Sequence, residues 1–175
     1  PHEELMKILR KKISDERFLR LIDKLATAPI TEKGKTTANT IGCPQGSILS
    51  PILANIYLHE VIDEWFESLK QTHIVGEAEE IRYADDMVFV FQRHSEARRF
   101  FEVLPKRLKK YGLEINMEKS NLIRSGQNVA RREHRAGRRL PTYHFLGFSI
   151  YWGKARTGQW WRMKVTSRQD RFTAK

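Results

Sequence analysis

The sequence predicts an α+β domain in which helices pack on one face of a small antiparallel sheet. Three observations carry that reading. Apolar residues recur at helical spacing in several separate stretches of the chain. Short runs rich in β-branched and aromatic residues lie between them, bounded by Gly, Pro and Asp turn residues. One such run, Arg82-Tyr83-Ala84-Asp85-Asp86-Met87-Val88-Phe89-Val90-Phe91, is interrupted by two adjacent carboxylates. Ile81, Tyr83, Val88, Phe89, Val90 and Phe91 are strand formers, and Asp-Asp is turn material, so the simplest local structure is a buried hairpin with Asp85 and Asp86 at its tip.

The elements follow in order. Leu5, Ile8, Leu9 and Ile13 give a helix over 3–13, and Phe18, Leu21, Ile22 and Leu25 a second over 16–26, with Asp15 as its N-cap. Residues 27–42 are polar, with strand-like stretches around Lys33-Gly34-Lys35 that suggest a hairpin. Gly42 to Ser47 reads as a turn. Pro51 suits a first helical turn, and the apolar series from Ile48 to Phe66 extends that helix to about Leu69. Ser95 is the expected N-cap of the next helix, whose stripe is Ala97, Phe100, Phe101, Leu104 and Leu108. Pro105 is expected to bend it and Gly112 to end it as the C′ residue. Leu113, Ile115, Leu122 and Ile123 suggest short extended segments. Residues 125–141 form a polar loop or an exposed helix, Phe145–Trp152 a strand, Gly153–Gly158 a turn, and Trp160–Val165 another strand.

Composition bounds the function. The chain has 175 residues, 40% hydrophobic and 30% charged, enough for one core. No stretch reaches the length that spans a bilayer, so no membrane partner is expected. The single cysteine, Cys43, cannot form an internal disulfide. The net charge is +11, yet residues 1–123 carry 19 basic and 19 acidic side chains and are neutral in balance. The whole excess lies in residues 124–175, with 13 basic and 2 acidic side chains. Such a block attracts a polyanion, and nucleic acid is the leading candidate; a poorly ordered basic tail is the other reading. Tyr143, Phe145, Phe148, Tyr151, Trp152, Trp160 and Trp161, interleaved with the cations, favour a folded surface that pairs charge with stacking faces.

Two like charges side by side repel unless something positive covers them. Asp85 and Asp86 therefore read either as a solvated turn or as ligands of a divalent cation at the edge of a rigid sheet. The neighbouring segments tip the balance. Pro44-Gln45-Gly46 precedes a long helix; Tyr83-Ala84-Asp85-Asp86 follows; then come Gly112-Leu113-Glu114-Ile115-Asn116 with Lys119-Ser120, and Phe145-Leu146-Gly147-Phe148. In this order and spacing the chain resembles the palm of reverse transcriptases, and is most similar to those encoded by bacterial group II introns. The resemblance covers essentially the whole chain.

The resemblance implies a polymerase palm-like sheet and an RNA-directed DNA polymerase that extends a DNA primer on an RNA template with deoxynucleoside triphosphates. It implies two Mg²⁺ ions, with Mn²⁺ a possible substitute, held by Asp85 and Asp86. Tyr83 and Ala84 would lie near the primer end and the incoming nucleotide. Gln45 and Gly46 would position template and nucleotide, Asn116 would belong to the same substrate- and nucleic-acid-binding set, and Lys119 would neutralise or protonate the leaving pyrophosphate; Lys119 also reads as a surface lysine, and Asn116 equally as a turn residue. Phe145, Leu146 and Gly147, with Phe148, would form a primer-gripping hairpin, serve as sheet core, or both. Arg82 reads as a phosphate contact or a salt-bridge partner. A bacterial cytoplasmic protein associated with its intron RNA is expected, its oligomeric state left open.

One family residue has no counterpart. A third metal-binding aspartate belongs on the first palm strand, just before the segment that begins here with Pro1. The expectation is thus a fragment lacking that strand: residues 1–167 a partial reverse transcriptase domain, and 168–175 the start of a thumb or a truncated tail. A reverse transcriptase of a phage-defence or CRISPR-associated system, and a non-catalytic RNA-binding remnant, are the alternatives.

Overall fold

The structure, a computed structural model, describes residues 2–32, 35–37, 49–158 and 160–168. These fall into two compact units, residues 1–115 and 116–175.

The first unit is built on helices. α1 (His2–Lys12) buries Leu5, Met6, Ile8 and Leu9, and α2 (Glu16–Thr27) buries Leu19, Ile22 and Ala26. Asp15 caps α2 as its spacing predicts, accepting from the backbone N–H groups of Arg17 (2.8 Å) and Phe18 (3.1 Å). β1 (Ile30–Glu32) and β2 (Lys35–Thr37) pair antiparallel, as the hairpin expectation required. The long helix is present but not uniform. It runs as α3 (Ser50–Leu58), a π-helical stretch (His59–Asp63) and α4 (Glu64–Thr72). Val61, Ile62 and Phe66 on its buried side are completely inaccessible to solvent. π-Helical turns free backbone groups from the regular ladder; here the Arg107 guanidinium donates to the Val61 carbonyl at 3.0 Å while stacking over Tyr111 at 4.4 Å.

β3 (Ala78–Tyr83) and β4 (Asp86–Phe91) form the acidic hairpin, and α5 (His94–Lys110) follows. α3, the π-helical stretch, α4 and α5 cover one face of that hairpin, which matches the layer arrangement expected. The Phe66 ring meets those of Phe89, Phe91 and Phe100 at 5.2, 5.9 and 5.4 Å between centroids. These tilted and edge-on contacts fill the space between helix and hairpin.

Ser95 is not the cap of α5. The helix begins one residue earlier, and Arg93 holds the cap position without a side-chain bond. Tertiary anchoring sets this start instead: the Glu96 carboxylate, in the first turn, accepts from the backbone N–H groups of Val75 (2.9 Å) and Gly76 (3.3 Å). α5 runs through Pro105, whose nitrogen has no hydrogen to give the carbonyl four residues back. At its other end Gly112 has φ +67°. The Gly112 N–H donates to the Lys109 carbonyl (3.1 Å) and the Leu113 N–H to that of Leu108 (2.9 Å), the paired bonds of a glycine-stopped helix.

In the second unit, α6 (Gln127–Arg135) settles the choice left open for residues 125–141 in favour of a helix. β5 (Thr142–Phe145), β6 (Phe148–Lys154) and β7 (Trp161–Ser167) form an antiparallel sheet in the order β5-β6-β7. The strand that propensity suggests over 145–152 is therefore two strands, broken by a tight turn at Leu146-Gly147, which is the hairpin the resemblance implied. Gly153, expected in a turn, lies inside β6. Residues 113–123 join no ladder among the described residues, so the extended segments expected there are irregular. The described strands make three separate ladders rather than one sheet.

Candidate active site at the acidic hairpin

The β3–β4 register pairs Ala78 with Phe91, Glu80 with Phe89, Arg82 with Met87 and Tyr83 with Asp86. Only Ala84 and Asp85 lie in the turn. Asp86 opens β4, so one carboxylate stands at the tip and the other on the strand. This register decides which face each side chain takes, because directly paired residues share a face. Glu80, Arg82, Met87, Phe89 and Phe91 point toward the helices. Ile81, Tyr83, Val88, Val90 and Asp86 point the other way.

Ile81 and Tyr83, expected to be buried, are thus exposed at 54% and 66%. The physical reason is the two-residue turn: it fixes the phase of the alternation, and that phase gives the core Phe89 and Phe91 at the cost of Ile81 and Tyr83. Asp85 and Asp86 are exposed, and no hydrogen bond or ion pair of either side chain occurs among the described residues.

Ala84 has φ +53°, a left-handed conformation that costs a residue with a Cβ about 1 kcal/mol. The only other non-glycine residue with positive φ among the described residues is Leu146, at +48°, followed by Gly147 at +82°. Both strained positions open the two-residue turns to which the sequence reading assigned function. Strain of this kind persists where surrounding structure over-determines it.

At Ala84 the surrounding structure is Arg82. Its Nη1 donates to the Ala84 carbonyl (3.1 Å) and to Asn55 Oδ1 (2.9 Å). Its Nε and Nη2 fork onto Asp63 Oδ1 (2.7 Å) and Oδ2 (2.6 Å), a bidentate pair with the Arg82 side chain only 13% exposed. Of the two readings open for Arg82, the structure supplies the salt-bridge partner. Burial acts to raise the Asp63 pKa, but hydrogen bonds from Arg82 and His59 outweigh it and hold the carboxyl below the usual range. Glu80, next along the same inward face, is pushed up to about 7 by burial and by the Asp63 charge. Its Oε1 is buried without a hydrogen-bond partner among the described residues.

Asp63, Asn55 and Glu80 were missed by sequence reasoning. A signal existed: Glu80 and Arg82 stand two apart on a strand and must share a face, so if that face is covered each needs a polar partner on the covering helix.

The remaining predicted residues are distributed as follows. Gln45 and Gly46, like Cys43, lie outside the described residues. Asn116 and Lys119 lie in the second unit, in a turn where Asn116 Oδ1 accepts from the backbone N–H groups of Glu118 (3.1 Å) and Lys119 (3.2 Å). Asn116 thus does act as a turn residue. Phe145 and Phe148 pair across the Leu146-Gly147 turn. Leu146 and Phe148 are exposed at 44% and 47%.

Arg132 on α6 (3.1 Å) and Arg138 just beyond it (2.5 Å) both bridge Glu133, whose carboxyl they hold down at about 2. Arg131, Arg132 and Arg135, with Asn128 and Ala136, line an open cavity of about 490 Å³. No group of three or more His, Cys, Asp or Glu side chains is arranged to hold a metal among the described residues. No helix among them is long and apolar enough to cross a membrane.

Comparison with known proteins identifies the family. A protein in the cob intron of Schizosaccharomyces pombe is 49% identical over 70 residues, 40% of this chain and 9% of that protein. The group II intron-encoded protein LtrA of Lactococcus lactis is 42% identical over 69 residues, 39% of this chain and 11% of LtrA. Telomerase reverse transcriptase of Canis lupus familiaris is 28% identical over 103 residues, 59% of this chain and 8% of that protein. The chain spans about a tenth of the length of these three relatives. The model of the family described as reverse transcriptase (RNA-dependent DNA polymerase) matches residues 1–150, and the chain belongs to that family.

Proposed function

We propose that this chain is the palm portion of an RNA-directed DNA polymerase encoded by a group II intron, with residues 1–167 its partial polymerase domain and 168–175 the beginning of the thumb. The carrying observation is the hairpin: a two-residue turn, anchored on packed helices, that presents Asp85 and Asp86 to solvent with no cationic side chain paired to either among the described residues. Two exposed carboxylates are hard oxygen donors, which suits Mg²⁺. They are fewer than a full coordination shell, so phosphate oxygens, water and a further carboxylate of the whole protein complete it. Two such ions, when bound, stabilise the attacking and leaving oxygens of an in-line displacement at phosphorus.

The chain's own residues hold and orient. Asp85 and Asp86 hold the cations, Asp85 from the turn and Asp86 from the strand. Tyr83, which shares a face with Asp86, offers an exposed ring beside the primer terminus, and Ala84 brings backbone close to the incoming nucleotide. Lys119 supplies an ammonium to the leaving pyrophosphate, with Asn116 shaping its turn. Gln45 and Gly46 position the template, and Phe145, Leu146 and Gly147 hold the primer strand. The arginines of α6 face the phosphates of the intron RNA. Such a protein works with nucleic acid in the cytoplasm of a bacterial host.

The test is Asp85→Ala in the full-length protein that carries this segment. DNA synthesis on an RNA template should fall by about 10³-fold or more while RNA binding stays. Undiminished synthesis would overturn the catalytic assignment, and a wild-type parent that binds RNA but copies nothing would leave an RNA-binding remnant as the correct reading.

A further inference from the structure

We propose that Arg82 and Asp63 form a clamp that sets the geometry of the carboxylate turn, and that both are positioning residues for the polymerase reaction. The inference rests on the polymerase reading of the hairpin and adds to it two residues that touch neither substrate nor metal. Asp63 is the last residue of the π-helical stretch. That stretch is built into a helix whose neighbouring side chains Val61, Ile62 and Phe66 are completely buried, so Asp63 is held on a closely packed backbone.

From there the contacts run directly to the turn. The Asp63 carboxylate takes both Nε and Nη2 of Arg82, which leaves Nη1 aimed at the Ala84 carbonyl and Asn55. A planar guanidinium transmits orientation, because its donors are fixed relative to one another. The carbonyl it grips belongs to the one turn residue held at positive φ, the residue directly before Asp85. Releasing that carbonyl lets Ala84 relax out of the left-handed region, and the peptide that carries Asp85 turns with it.

Glu80 deepens the requirement. Its inward carboxyl lies close to Asp63, so an arginine is needed to keep Asp63 charged and correctly turned. A lysine at position 82 would keep the charge and lose the fork.

The experiment uses the full-length protein. Arg82→Ala, Arg82→Lys, Asp63→Asn and Asn55→Ala are each measured for kcat, for the Mg²⁺ concentration giving half the maximal rate, for primer–template Kd and for Tm. A misplaced catalytic group costs on the order of 10²-fold, so Arg82→Ala should lose about 10- to 100-fold in kcat and raise the Mg²⁺ midpoint several-fold, with primer–template Kd essentially unchanged. Arg82→Lys and Asp63→Asn should fall between, because each keeps part of the hydrogen bonding. Asn55→Ala removes a single exposed acceptor and should shift the Mg²⁺ midpoint least; it carries the test if the Arg82 variants do not fold. Variants that lose Tm yet keep the wild-type kcat and Mg²⁺ midpoint would show the pair to be scaffold only and overturn the clamp. That outcome is separable from failure of the polymerase reading, which would appear as an active Asp85→Ala protein.

Discussion

The two units solve different physical problems. In the first, a charge-balanced chain buries Leu5, Leu9, Leu19, Val61, Ile62 and Phe66 almost completely and lays a hairpin on that core. In the second, Ala130 is the one apolar side chain in the fully buried class among the described residues, and Phe148, Met163 and Val165 remain about half exposed. The second unit also carries the surplus of positive charge. A tight core gives the acidic hairpin a rigid foundation. A thin core under many cations leaves the second unit with less buried apolar surface to stabilise it. Precision belongs to the first unit and attraction to the second.

That contrast can be broken most severely at the carboxylates. Asp85→Ala should remove about 10³-fold of DNA synthesis, on the order of 4 kcal/mol of transition-state stabilisation, without changing RNA affinity. Primer extension and filter binding on the same preparation check both halves. Phe66→Ala should destabilise the first unit by about 3–5 kcal/mol, since it empties the space among Phe89, Phe91 and Phe100. Val165→Ala, on a half-exposed strand of the second unit, should stay within about 0.5 kcal/mol. Equal losses in denaturant melts would erase the distinction drawn between the two cores.

The charge side of the comparison is sharpened by salt. Arg131→Ala with Arg135→Ala should reduce the slope of log K against log salt for RNA binding by about 1.5 to 2, with polymerisation at saturating RNA retained. An unchanged slope would show that α6 does not face phosphate.

pH separates the units more gently. Glu80 has its folded pKa raised from 4.5 to about 7, so the folded form binds the extra proton between those values. Its contribution to stability is therefore present at low pH and is lost as pH rises from about 4.5 through about 7. Glu80→Gln should raise Tm at pH 8 and change it little at pH 5. An effect of the same size at both would sink the assignment. Gly112→Ala, where a Cβ meets φ +67°, should cost about 1 kcal/mol by thermal melting.

Local rules made much of the first unit legible. Asp15 caps α2, Gly112 stops α5, and the alternating run around Asp85 and Asp86 makes a hairpin, because each depends on neighbours in sequence. They failed where a distant group decided. Ser95 has the right chemistry for a cap, but Glu96 anchors the helix to Val75 and Gly76 instead. Phe145 to Trp152 reads as one strand because Leu146 is a poor turn residue; only pairing on both sides makes its strained φ acceptable. The family motifs pointed to Tyr83, Asp85 and Asp86, and the register put Tyr83 and Asp86 opposite each other.

What the sequence determined alone was the order of helices and hairpins, the acidic turn and the concentration of charge after residue 123, since periodicity, turn chemistry and composition are properties of the chain itself. Tertiary structure decided the phase of the hairpin. Packing Phe89 and Phe91 on Phe66 turned Ile81 and Tyr83 outward and carried Glu80 and Arg82 inward, against a helix whose π-helical turn holds Asp63 to receive Arg82. A charge can be enclosed only where its partner already waits, and that partner lies nineteen positions away in sequence.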